Sequence, residues 1–100
     1  MVRKANKVST FISELFKMKE NREKIKAFLG RVVGDYDLQD NEDIFGLGFV
    51  NSMFAMQLVL FVEQEFKISI ENEDLEIDNF NTINALVNLI ERKTAVLTSN

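Results

Sequence analysis

No proline interrupts this 100-residue chain, and its four glycines, Gly30, Gly34, Gly46 and Gly48, all fall in one short stretch. Proline and glycine are the strongest helix breakers, the first through its missing N–H and the second through its backbone freedom. Long helices on either side of that stretch, and an all-α fold, are therefore expected. Apolar residues make up 46% of the chain, enough for the core of one compact domain but little room for a substrate pocket with its own catalytic apparatus.

Helical periodicity appears three times. Ile25, Phe28, Leu29, Val32 and Val33 recur at three- and four-residue steps and predict a helix ending near Gly34. Gly30 falls inside it at a cost of about 1 kcal/mol relative to alanine. Upstream, Phe11, Ile12, Leu15 and Phe16 form another apolar cluster in a basic context, with Ser9 or Thr10 as a cap. Residues 1–19 read as an N-terminal extension that is a separate helix, a backward continuation of the first one, or a flexible tail, and Met18 is an alternative start. Asp35 to Val50 reads as a long loop anchored by Ile44, Phe45 and Leu47, and loops of this length are functional or pinned by their own side chains.

The second helix is expected from Ser52 to Phe66, ending near Lys67. Its apolar residues cover nearly the whole circumference, with Gln57 the interruption. A small bundle cannot wrap a helix on every side, so some of Met53, Phe54, Met56 and Leu60 are expected to stay accessible. Ile68 to Ile70 reads as a short extended turn, and Glu73 to Asp78 as a helical turn anchored by Leu75 and Ile77. A last helix follows, capped by Asn81 or Thr82, with Ile83, Leu86, Val87 and Ile90 on one face and Arg92 and Lys93 at its C-terminal dipole end. Residues 94–100 are expected to fray.

The net charge of −4 conceals a strong polarity. Residues 1–34 carry nine Lys or Arg against three Asp or Glu, whereas residues 35–78 carry twelve Asp or Glu against Lys67 alone. The acidic middle repels nucleic acid and attracts basic protein surfaces. With no histidine and no cysteine, disulfides, thiolate chemistry and metal sites built on those ligands are excluded. A carboxylate calcium loop from Asp35 and Asp37 fails as well, because Asp40 stands where the turn glycine belongs and Gly46 where the bidentate glutamate is required. No apolar run approaches the roughly 18 residues of a membrane span, and although Arg3, Lys4 and Lys7 are basic, no secretory apolar segment follows them. The expectation is a cytoplasmic monomer that binds neither membrane nor nucleic acid.

Ser52 stands where the loop Gly46-Leu47-Gly48-Phe49-Val50-Asn51 gives way to the apolar helix. First-turn amides and the helix dipole favour a phosphate esterified at such a hydroxyl. The chain supplies no histidine to activate it as a nucleophile of its own, so Ser52 reads as a point of attachment, beside the commoner role of serine as an N-cap.

The run Glu42-Asp43-Ile44-Phe45-Gly46-Leu47-Gly48-Phe49-Val50-Asn51-Ser52-Met53 resembles the attachment segment of acyl and peptidyl carrier proteins, and with Glu63-Gln64-Glu65-Phe66 and the last helix the likeness covers about residues 20–93. The resemblance implies a small four-helix carrier bundle with a long loop between its first two helices and a short third helix. It also implies 4′-phosphopantetheine on Ser52, taken from coenzyme A by a phosphopantetheinyl transferase, with an acyl group held as a thioester at the arm's end. The protein would then be a carrier and not an enzyme. Its implied partners are the transferase and the acyl-loading, tailoring and synthase enzymes. They would dock on Asp43, Asn51, Met53, Phe54, Met56, Gln57, Leu60 and Glu63, with Glu65 adding charge, while Gly48 lets the loop turn tightly and Phe45 and Leu47 pin it.

Asn51 replaces the family's usual aspartate and Met53 its usual leucine. Asparagine keeps the hydrogen-bonding oxygen and loses the charge, and methionine nearly conserves volume. Asn51 to Val59, together with Asp35 to Asp40, is further similar to freestanding carriers of alkoxy-, hydroxy- or aminomalonyl extender units in polyketide and hybrid peptide pathways. A peptidyl or fatty-acid carrier is the alternative within the family. Outside it stands a small helical interaction module without a prosthetic group, which leaves the loop spacing and Ser52 as coincidence.

Overall fold

The protein is described here by a computed structural model covering residues 7–48 and 51–98. Arg3 and Lys4, the loop residues Phe49 and Val50, and the last two positions of the expected frayed tail lie outside the described residues. Helix α1 spans Lys7–Val33, α2 Ser52–Phe66, α3 Ile77–Phe80 and α4 Ile83–Thr98, with 3-10 turns at Phe45–Leu47 and Asn72–Asp74. Among the described residues there is no strand. The fold is the small all-helical bundle expected, with its long loop between α1 and α2 and a third helix of one turn.

Of the arrangements open for the N-terminal cluster, the backbone takes the continuous one. With no breaker ahead of Gly30, α1 runs 27 residues without interruption, and Ser9 and Thr10 lie inside it instead of capping it. Gly34 ends it in the left-handed region at φ 61°, and its N–H reaches the carbonyl of Gly30 at 3.0 Å. A residue with a side chain would be strained there.

Ile25 and Leu29 of α1, Phe54, Leu58 and Val62 of α2, and Ile83, Leu86, Val87, Leu89 and Ile90 of α4 make one core, closed by Ile44 and Ile68 from the connections and Phe80 from α3. Aromatic rings hold α2 on α1. Phe28 stacks on Phe61 with centroids 4.3 Å apart and on Phe54 at 5.6 Å, and Phe66 meets Phe61 edge-on. The long loop is braced from two sides. Arg22 of α1 donates to Asp40 and to the Asn84 side-chain oxygen, both at 2.8 Å, and the Asn84 N–H donates to the Asp40 carbonyl at 3.0 Å. Nearer α1, the Tyr36 hydroxyl donates to Glu42, which pushes the phenol up and the carboxyl down from their ordinary pKa values.

Around α3 and α4 two expectations change and one choice is decided. Leu75 and Ile77 are 53% and 63% exposed, and the anchor of that region is Phe80, which is buried. A helix of one turn has a single inward position, and the bulkiest residue near it takes the place. Thr82 is the cap of α4, its hydroxyl oxygen accepting the Ala85 N–H at 2.9 Å, whereas the Asn81 carbonyl is engaged by the Ile44 N–H. The helix runs to Thr98. Arg92 and Lys93 are therefore interior to α4. They fasten the α3 region to it, Arg92 donating to the Asn79 side chain at 3.1 Å and Lys93 to Asp74 at 2.6 Å.

In α1, a Cβ added at Gly30 would meet nothing within 4 Å. Gly30→Ala is expected to stabilise the protein by about 0.5–1 kcal/mol in urea unfolding, the ordinary helix-interior difference between the two residues. The Lys93 ammonium and the Glu71 N–H hold the Asp74 carboxyl below its usual value, and Asp74 in turn raises Lys93. The Asp74 contribution is thus complete above its unfolded value of about 3.9 and is lost as pH falls through the lower native value, while that of Lys93 disappears as pH climbs past its raised one. Asp74→Asn is expected to be less stable than the wild type at neutral pH. The gap should close as acid protonates Asp74 in the wild type, which chemical unfolding across an acid pH series measures.

Candidate functional site

The approach to α2 is built from backbone outward. Ile44 is fully buried, and its N–H donates to the Asn81 carbonyl at 2.7 Å, tying the loop to the entrance of α4. The next three residues, Phe45–Leu47, form the 3-10 turn. Asp43 holds it, one carboxylate oxygen accepting the N–H groups of Phe45 at 3.0 Å and Gly46 at 3.3 Å. This is the local side-chain-to-backbone bonding that fits aspartate to turns. A Cβ at Gly46 would come within 3.2 Å of the other Asp43 oxygen. Gly48 then reverses the chain in the left-handed region at φ 80°.

Asn51 is the N-cap of α2, in an extended conformation with φ −127° and ψ −176°. Its side-chain oxygen accepts the Phe54 N–H at 2.9 Å, and its carbonyl accepts the Ala55 N–H at 3.0 Å. Ser52 is the first residue of the helix and is exposed. Capping therefore falls to Asn51, and the ordinary role of serine as an N-cap is not the one Ser52 fills. One position separates a side chain that turns back to a first-turn amide from one that is exposed. The N–H groups of Ser52 and Met53, at the positive end of the helix dipole, have no carbonyl a turn earlier to receive them.

Beyond Ser52, three apolar side chains form an open stripe at helical spacing. Met53 and Met56 are each 67% exposed and Leu60 is 52% exposed, with Gln57 exposed beside them. No charged residue occurs in α2 before Glu63. Two residues expected on this surface are elsewhere. Phe54 is buried and stacks on Phe28, because its position faces α1. Glu63 is half-buried, its carboxylate accepting the Ile70 N–H at 2.9 Å and holding the turn that leaves the helix. Asp43 and Asn51 remain at the surface, but the side chain of each also supports the backbone. Phe45 and Leu47 are only half-buried, so Ile44 carries most of the anchoring.

One feature escaped the sequence reading. Phe45, Ala55, Leu58, Val59, Leu75, Ile77 and Phe80 line an apolar cleft of about 280 Å³. Leu75 and Ile77, whose apolar character was visible, border this open space instead of filling the core.

The family described as the phosphopantetheine attachment site matches residues 22–90. The chain belongs to that family. A search of the curated proteins gave no match. The protein is accordingly a carrier domain whose prosthetic group is covalently attached 4′-phosphopantetheine, and phosphopantetheinyl transferases and synthase enzymes are the kinds of protein such a domain meets. Domains of this family are in general not catalysts. Among the described residues no cluster of carboxylates is arranged to hold a metal ion, and no described helix is long and apolar enough to cross a membrane.

The cap has a measurable weight. Asn51→Ala is expected to cost the carrier about 1 kcal/mol, the usual loss when an N-cap side chain is removed. Asn51→Asp should recover it at neutral pH, because a carboxylate bonds the same amide and favours the dipole. Thermal unfolding of the two variants beside the wild type checks the order.

Proposed function

We propose that Ser52 is the attachment residue and that the carrier presents its arm beside the stripe of Met53, Met56 and Leu60, on which partner enzymes dock. The observation that carries this reading is the division of work between neighbours: Asn51 caps α2, which leaves the Ser52 hydroxyl exposed and unused at the first helical position. A phosphodiester there would lie against unpaired amides at a positive helix end, the environment that favours an anion. In the transfer, the Ser52 oxygen bonds to the phosphorus bearing the pantetheine, and the pyrophosphate P–O bond of coenzyme A breaks to release the nucleotide. The hydroxyl proton passes to a base on the Mg²⁺-dependent transferase, the carrier having no histidine to receive it. A thiol at the arm's end then holds the acyl group.

The cargo proposed is an alkoxy-, hydroxy- or aminomalonyl extender unit for polyketide or hybrid peptide synthesis in the cytoplasm. Asn51 in place of aspartate supports it, as does the uncharged start of α2. Incubation with pathway loading enzymes tests the cargo; acceptance of ordinary fatty-acyl groups or amino acids alone would refute it in favour of a fatty-acid or peptidyl carrier.

Incubation with coenzyme A, Mg²⁺ and a broad-specificity transferase should add one phosphopantetheine by intact mass. Ser52→Ala should add none, and an unmodified wild type across several active transferases would sink the assignment. Met56→Glu, an exposed position, should slow modification by about tenfold, equivalent to about 1.4 kcal/mol of lost contact, without lowering stability. Initial rates by mass spectrometry, paired with a urea curve, separate docking from folding.

A further inference from the structure

The first fifteen residues of α1 precede the stretch that the family matches. Phe11, Ile12, Leu15 and Phe16 in this stem are 60%, 57%, 48% and 67% exposed. At 3.6 residues per turn they share one stripe, about a quarter-turn from the face that buries Ile25 and Leu29. The molecule is drawn out to 54 Å along its longest axis, against 30 and 19 Å across, as a helix of about 40 Å carrying a short bundle requires. Four large apolar side chains grouped in the open mark an interaction surface.

The order of those residues indicates the partner. Phe11-Ile12 and Leu15-Phe16 are placed symmetrically about the midpoint between Ser13 and Glu14. A surface with that symmetry complements itself under a two-fold rotation, where the contact of one residue with another is repeated in reverse. We propose that the stem pairs antiparallel with the stem of a second copy of this chain. In that register Ile12 of each copy packs against Leu15 of the other. Phe11 and Phe16 flank these layers, and Phe11 comes beside Met18 of the second copy.

Charge favours the same direction. Residues 1–7 include Arg3, Lys4 and Lys7 and nothing acidic. The antiparallel register sets Lys7 of one copy level with Glu20 of the other, in a stretch, residues 20–24, whose two glutamates balance Arg22 and Lys24, Arg22 being already paired with Asp40 and Lys24 with Glu65. A parallel pairing would instead align each basic end with its own kind. Antiparallel stems also carry the two bundles to opposite ends, clear of each other. The sequence reading expects a monomer, and the proposed pairing departs from it. It rests on the stem alone and stands independently of the role of Ser52.

Sedimentation of the full chain over a dilution series is the test. A species of twice the 11.5 kDa chain mass, dissociating on dilution, is expected, and a monomer at every concentration would overturn the proposal. Leu15→Asp should weaken the dimer at least about 100-fold, since each dimer loses two buried leucines, while the helical circular dichroism and thermal midpoint, read at a dilution where both proteins are monomeric, stay unchanged. An unaffected dimer would also overturn it. Direction is tested separately, because the chain has no cysteine of its own. When Ile12→Cys and Leu15→Cys proteins are mixed and oxidised, the mixed disulfide should exceed either homodisulfide by several-fold; dominance of the homodisulfides would contradict the antiparallel register.

Discussion

The burial of Ile44 is the constraint from which the rest of the loop follows. A connection this long between two helices has few reasons to hold one shape, and its first half is almost entirely polar. One fully buried apolar side chain, with its N–H given to the carbonyl that precedes the α4 cap, converts the loop into a clamp between α1 and α4. Asp40 joins the same clamp through Arg22 and Asn84. Every later step, from the turn at Phe45–Leu47 to the reversal at Gly48 and the cap at Asn51, is measured from that fixed point. The position of Ser52 is a consequence of packing many residues upstream.

Around Ser52, conformational work is assigned to its neighbours. Asn51 satisfies the helix amide, Asp43 the turn amides and Gly48 the left-handed backbone. A residue relieved of structural duty can be modified without loss to the fold. A hydroxyl engaged in capping would have to surrender its bond first, at a cost of about 1 kcal/mol.

Much of this was legible in the sequence because helical periodicity and breaker placement are local signals. The end of α1 at Gly34 and the limits of α2 follow from such signals, while the exposure of some of Met53, Phe54, Met56 and Leu60 follows from the small size of the bundle. What depended on three-dimensional neighbours was harder to read. In α2 nearly every position is apolar, so periodicity gave no inward direction, and Phe54 was placed at the surface although Phe28 awaits it in the core. Glu63 looked like a docking charge because its partner, the Ile70 N–H, is a backbone group with no signature in sequence. Leu75 and Ile77 announced burial, but a helix of one turn has too little surface to turn both inward. Serine and asparagine at adjacent positions are both good caps, and the choice between them depends on the backbone angle at which the loop arrives.

The charge-free opening of α2 separates two events that most protein encounters combine. The acidic residues concentrated between Asp35 and Asp78 set up a field felt at a distance, and that attraction governs how quickly a basic partner arrives. At the proposed docking stripe the surface offered is thioether and aliphatic, and the carboxylates of Asp43 and Glu63 are committed to backbone groups. Arrival would then be screened by salt while residence is not, so the ionic conditions of the cell would tune how often the arm is visited without changing how long each visitor stays.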